Sequence, residues 1–276
     1  MTLASPLDDA SIDPEVRSFF RAIKENPDDD TPRLIFADWL QERGDAANAE
    51  RGEYLRLCVL RHRLSPDDPS YAVLKRREGE LFTEHRWTWL GPLVDAARSW
   101  TFLRGMIQIT ADPEKLMTPE IRTWARTEAG LWIDALSLPE IFCGFRSEAE
   151  DHMDYLAYSP LMSHLNRLDL SGNANPSVLR LVSRAVRAQN LPFLSQLMLS
   201  HNRLTARQVL SLARCRHFHR LTLLDLRHNC LDDAAARLLA ESPHLQNLAA
   251  LRLGRNRFTA EGIALLRQAF GARVHF

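Results

Sequence analysis

The sequence predicts an α/β architecture in which parallel strands line a concave face and helices a convex one, preceded by a small all-α domain. Three observations carry this expectation. The phrase L-x-x-L-x-L-x-x-N recurs four times in one register, ending at Asn173, Asn202, Asn229 and Asn256. Its central leucines, Leu168, Leu197, Leu224 and Leu251, repeat every 27 to 29 residues or so, long enough for one strand and one helix per unit. Ahead of residue 95 the pattern changes to helical apolar spacing punctuated by proline.

In chain order, the all-α domain spans residues 1–95. Asp13-Pro14, Thr31-Pro32 and Asp68-Pro69 each place a capping residue before a proline suited to the first helical position. Val16, Phe19, Phe20 and Ile23 form one apolar stripe and Ile35, Phe36, Trp39 and Leu40 a second. Two more helices are expected over 48–64 and 71–85, before the Gly91-Pro92 break. Asp38 lies within an apolar helix; if buried it needs a partner, and Arg51 or Arg56 on the next helix is the expected one. Asp28-Asp29-Asp30 lacks the ligand spacing of a calcium loop and reads as a solvated turn. This bundle should cover the first strand of the array, because a stack of repeats needs a cap.

The repeat array spans 100–276 in about six strand-helix units, the first two degenerate. Ile107-Gln108-Ile109 and Leu136-Ser137-Leu138 are matched to Leu168-Asp169-Leu170 but lack the Asn. Thr205, Asp232 and Thr259 each open a helical segment as N-caps. Ser159-Pro160 and Ser242-Pro243 each stand six residues before a repeat leucine and should end a helix. Residues 274–276 should form a closing strand. Strands pack about 4.8 Å apart while helices need about 8 to 10 Å, so the sheet must curve into a horseshoe. The leucines face the helices, and each Asn can bond the backbone of its turn in a ladder. Arg167, Asp169, Gln196, Met198, Leu223, Asp225, Arg227 and Arg252 then point out of the concave face and are the candidate partner-binding residues. Among them, Met198 and Leu223 supply an apolar patch suited to a hot spot.

With these motifs, the segment from about 100 to 276 resembles a leucine-rich-repeat horseshoe of the ribonuclease-inhibitor-like type. Most members of that type are binding modules. The N-terminal stretches Phe19-Phe20-Arg21-Ala22-Ile23, Asn26-Pro27-Asp28-Asp29-Asp30, Pro32-Arg33-Leu34-Ile35-Phe36-Ala37-Asp38-Trp39-Leu40 and Arg51-Gly52-Glu53-Tyr54-Leu55-Arg56-Leu57 resemble a bacterial repeat-companion domain of planctomycetes and myxobacteria. That resemblance implies architecture and no particular chemistry.

Composition narrows the function classes. The 276 residues carry 35 basic and 35 acidic side chains, a formal net charge of zero that gives no general attraction to nucleic acid or anionic membrane. Cys58, Cys143, Cys215 and Cys230 show no C-x-x-C pair, which fits a reducing compartment. Residues 1–10 lack a signal-peptide pattern and no stretch is apolar enough for a membrane span, so the cytoplasm is the expected location. Nucleotide-loop, zinc-protease and hydrolase signatures are absent. Cys215-x-His217-x-His219 offers metal ligands, but His217 matches His244 on an ordinary helix-to-strand turn, and no fourth ligand follows at zinc spacing. No metal or cofactor is expected. His201 and His228 should be neighbours on adjacent strands, as solvated turn residues or as a pH-sensitive rim.

The expected function is therefore non-catalytic: a scaffold that binds another protein on the concave face. The alternative from another class is an enzyme activator or regulatory subunit, GTPase-activator-like, inserting a strand-end Arg such as Arg203, Arg255 or Arg257 into a partner's site. Nucleic-acid binding ranks third, because the concave residues mix Asp with Arg and lack interleaved aromatics.

Overall fold

A computed structural model describes residues 12–141 and 149–276. The expectations for residues 1–10 and for Cys143 lie outside the described residues.

The chain opens with α1 (Pro14–Glu25), α2 (Thr31–Glu42), α3 (Ala46–Arg63), α4 (Pro69–Leu90) and the single turn α5 (Leu93–Ala96). Asp13 and Asp68 cap their helices as expected, accepting from the N–H of Glu15 and Ser70 at 2.8 Å. Helix α2 differs: Thr31 is already helical, and Asp29 accepts its N–H at 2.8 Å. The acidic triplet thus does more than sit in solvent. Asp30 binds Arg63 and Arg104; burial works against its ionisation, but the two guanidinium groups outweigh it and hold the carboxyl below its usual range.

The strands form one open eight-stranded sheet in the order β1 (Ala97–Leu103), β2 (Met106–Ala111), β3 (Ile133–Ser137), β4 (Arg167–Asp169), β5 (Gln196–Met198), β6 (Leu223–Asp225), β7 (Ala250–Arg252), β8 (Val274–His275). From β2 onward neighbours are parallel; β1 pairs antiparallel with β2. Strand β1 was not legible in the repeat pattern, because it belongs to a hairpin and carries no leucine phrase. Its turn is Arg104-Gly105, both at positive φ (50° and 81°), as a two-residue hairpin turn requires. Gly105 has a second reason: a side chain there would collide with Leu55 of α3.

Between the strands lie α6 (Pro119–Trp124), α7 (Glu128–Leu131), α8 (Ala149–Ala157), α9 (Val178–Arg187), α10 (Ala206–Ala213), α11 (Asp233–Ala240) and α12 (Ala260–Phe270). Thr205, Asp232 and Thr259 cap α10, α11 and α12 as the sequence implied. Ser159 and Ser242 follow the ends of α8 and α11, both buried, and Ser242 Oγ donates to Ala213 O at 2.6 Å. One register needs correction. Leu136 pairs with Leu168, but the β2 residue opposite Leu136 is Ile109, two positions later than the alignment on Ile107.

The asparagine ladder forms. Asn202 N–H donates to Asn229 Oδ1 at 3.0 Å, Leu204 N–H shares that acceptor at 3.0 Å, and Asn229 Nδ2 donates to Leu199 O and Leu226 O, both at 3.0 Å. Asn173 N–H likewise reaches Asn202 Oδ1 at 3.1 Å, and Asn256 Oδ1 accepts from Leu231 N–H at 3.1 Å. One repeat thereby fixes the turn of the one before it. The residue before each Asn (Gly172, His201, His228, Arg255) is left-handed, with φ from 53° to 78°.

One apolar core runs from the N-terminal helices into the repeats. Phe20 meets Trp132 edge-on at 5.0 Å and Phe36 stacks on it at 5.5 Å. Lys24 of α1 is fully buried, and its Nζ donates to Ile133 O and His164 O at 2.6 Å each, while Asn166 Nδ2 donates to Lys24 O at 2.7 Å. Asp38 is exposed, so the condition of burial is not met. It does pair with Arg56, but across a solvated surface where such pairs contribute about 0 to 1 kcal/mol. Arg51 is the buried one, held among aromatic rings.

Candidate functional site

Side chains alternate across a strand, so the residues flanking each buried leucine share the opposite face of the sheet. The register assembles two rows there. The first runs Thr101, Gln108, Ala135, Arg167, Gln196, Leu223 and Ala250. The second runs Ser99, Thr110, Ser137, Asp169, Met198, Asp225, Arg252 and His275. The predicted residues of β4 to β7 therefore do come together, with the spacing of adjacent strands. Arg227 lies just beyond β6 and folds back onto this face.

Their exposure departs from expectation at two positions. Met198 is only 8% exposed and Asp225 is fully buried, whereas both were expected to project freely. For Asp225 the cause is a side chain that folds back from just beyond its own strand, together with a row neighbour. Asp225 is enclosed by Arg227, whose Nη2 donates to Oδ2 at 2.6 Å and Nε to Oδ1 at 3.0 Å, and Arg252 Nη1 stands 3.9 Å from the same Oδ2. The hydrogen bonds that Arg227 donates to Asp225 raise the Arg227 pKa, so this cation is held in place. Arg167 and Asp169 face each other at 3.7 Å. Arg167, Asp169, Gln196, Leu223 and Arg252 are partly exposed, and Arg227 is exposed. The apolar patch thus shrinks to Leu223.

The sequence missed the first half of the face. A cavity of about 260 Å³ opens over β1 to β4, lined by Ser99, Thr101, Gln108, Thr110 and Ser137 with Arg167 and Asp169. These hydroxyl and amide groups stand on the strands without the Asn motif; the alternation in 97–103 was the only signal. A second hollow, of about 430 Å³, separates Gln196 and Thr222 at the strand starts from Asn26 and Asp28 in the α1–α2 turn.

Potential metal ligands are mostly dispersed. Among the described residues, the ligand atoms that converge are those of Glu50, Glu84 and His85, on α3 and α4. His85 Nε2 lies 3.0 Å from Glu50 Oε2, and its ring stacks on Trp89. His217 and His219 are exposed on a short turn, where His219 Nδ1 meets Arg216 O at 2.9 Å. Cys58, Cys215 and Cys230 are free, and burial pushes the Cys58 thiol up to about 12. Among the described residues no helix is long and apolar enough to cross a membrane.

Comparison with curated proteins found no match. A family model described as Leucine Rich repeat matches residues 219–240, the stretch that holds β6, Asn229 and α11. That stretch therefore carries a leucine-rich repeat, a motif commonly used for protein–protein interaction.

Proposed function

We propose that this protein is a non-catalytic interaction scaffold that holds another protein against the open, concave face of a leucine-rich-repeat horseshoe. The observation that carries the reading is the register. The strands hold two continuous rows of side chains on the face opposite the core leucines, and from β4 to β7 the Asn ladder fixes the turn at each strand's end. Such a surface is pre-organised, so little ordering entropy is lost when a partner docks. The helices over 1–95 serve as its repeat companion, bracing the β1–β3 end through Trp132 and Lys24, and the protein works in the cytoplasm of a bacterium without a cofactor. The cavity over β1 to β4 supplies a recess for a partner side chain, and Leu223 with the flanking arginines supplies the anchor at the other end.

The test is site-specific photo-crosslinking in the native cell, with the reactive side chain placed at Gln108, Gln196 or Arg252. Discrete adducts of one mass from these positions, and none from Arg237 on α11, are expected. Adducts confined to Arg237 would place the binding surface on the helical side.

A further inference from the structure

The C-terminal ends of β5 to β7 carry a group of cationic side chains that the strand rows do not include. His201 and His228 stack face to face, ring centres 4.0 Å apart and planes 13° from parallel. Both are exposed, and both sit at the left-handed position before their Asn, with φ of 57° and 53°. The ladder imposes that backbone on each repeat, so it also fixes the two rings side by side. Charged groups facing His228 are His201 from the preceding repeat, Arg255 from the following one, and Arg227 with Asp225 from its own strand end. One repeat before His201 the equivalent position is Gly172, which offers no side chain.

The charge balance of this corner is uneven. The carboxylate that acts on His228, Asp225, is fully buried and taken up by Arg227 and Arg252. Arg255 is exposed and makes no ion pair among the described residues. The pair therefore sits in a positive field. Burial first, then repulsion from His201, Arg255 and Arg227, lowers the His228 pKa from 6.5. Two positive charges on rings stacked at this separation repel, and a counter-charge relieves the repulsion. An anion laid across them removes the repulsion, so its binding and proton uptake must be coupled.

We propose that this corner is a binding subsite for a carboxylate-rich, acidic segment of a protein partner, and that the His201–His228 pair makes its affinity rise as pH falls below neutrality. This rests on the reading of the open sheet face as an interaction surface and names the chemistry of the partner at one end of it. Arg255 supplies a fixed charge, and the two imidazoles supply a charge that appears when the acidic segment is present. A carboxylate partner stays ionised at pH 5.5, so the pH response belongs to the protein side.

The experiment uses the full chain and a fluorescent octaglutamate peptide, titrated by anisotropy at pH 7.5 and 5.5 in low salt. Wild-type binding should strengthen roughly tenfold at the lower pH, the ratio for a combined rise of one pK unit across the two rings. A double variant, His201→Asn with His228→Asn, suits the left-handed backbone and should fold; it should show less than about a twofold pH effect. Arg255→Gln should weaken binding at both pH values. No binding of octaglutamate, equal binding of octaglutamine, tighter binding of an oligothymidylate, or an undiminished pH effect in the double variant would each overturn the proposal. If any of these occurs while crosslinks still form from Gln108 and Gln196, the scaffold reading stands and only the acidic partner is lost.

Discussion

The guanidinium carbon of Arg51 lies 3.9 Å from the centre of the Trp132 ring. Trp89 and Phe102 close around it at 4.3 Å and 5.4 Å, and neither Nη atom has a hydrogen-bond partner. Arg51 belongs to α3, Trp132 to the turn entering β3, so this contact ties the helices to the sheet. Burial pulls the Arg51 pKa down to about 9, which leaves it charged at neutral pH. Cation–π attraction when desolvated is worth about 2 kcal/mol per good contact, against several kcal/mol for stripping water from the ion.

Packing should therefore matter more than charge at this site. Arg51→Ala, which empties the space between the rings, is expected to lower unfolding free energy by about 2 to 4 kcal/mol. Arg51→Met should stay within about 1 kcal/mol of wild type. Urea melts decide it: equal damage from both variants would mean that the cation itself is required.

The ladder predicts an order among asparagines. Asn229 serves five backbone groups, two as acceptor and three as donor, in a buried turn, whereas Asn256 serves three near the end of the array. Orphaning buried backbone groups costs about 1 to 3 kcal/mol each before relaxation. Asn229→Ala should destabilise by about 3 kcal/mol or more, and Asn256→Ala by distinctly less. Reversal of that order in thermal melts would show that the ladder does not distribute strain as its geometry implies.

His164 should make the protein acid-sensitive. It is fully buried, its Nε2 donates to Ala125 O at 2.8 Å, and burial, then repulsion from Lys24, brings its pKa down from 6.5 to about 3. Between these values the unfolded chain binds a proton that the native state refuses, so stability falls as pH drops from 6.5 towards 3. Lys24 acts at the other end. Its pKa is lowered by burial to about 8 from 10.5, so this group adds stability as pH rises from 8 to 10.5. His164→Gln, which keeps an N–H donor, should flatten the acid limb in melts from pH 7 to 4. An unchanged slope would assign that limb to other groups.

Burial of Met198 and Asp225 redirects mutagenesis of the sheet face. Met198→Glu would force a second carboxylate between Asp169 and Asp225, and should cost roughly 1 to 3 kcal/mol of stability besides any loss of binding. Arg252→Gln is the cleaner probe, since its side chain is 39% exposed and only skirts Asp225. It should leave the melt within about 0.5 kcal/mol of wild type and weaken partner binding by about 1 to 2 kcal/mol. Wild-type affinity in that variant would move the anchor to the β1–β4 end.

The sequence by itself determined the repeat. Leu168, Leu197, Leu224 and Leu251 fixed which strand positions face the core, the Asn after each fixed the turn, and Asp13, Asp68, Thr205, Asp232 and Thr259 announced helix starts, because each of these acts through its own neighbourhood or a fixed period. Tertiary structure alone decided what depends on distant partners. Strand β1 exists because β2 offers an edge and α3 leaves room only for Gly105. Asp38 is exposed and Arg51 buried because the α3 face that meets Trp132 and Trp89 carries Arg51. Asp225 is covered because Arg227, two residues on, folds back onto it and the neighbouring strand brings Arg252 to 3.9 Å, and Met198 stands in its row between Asp169 and Asp225. Local periodicity says which way a side chain points, and only the assembled sheet says what stands in front of it.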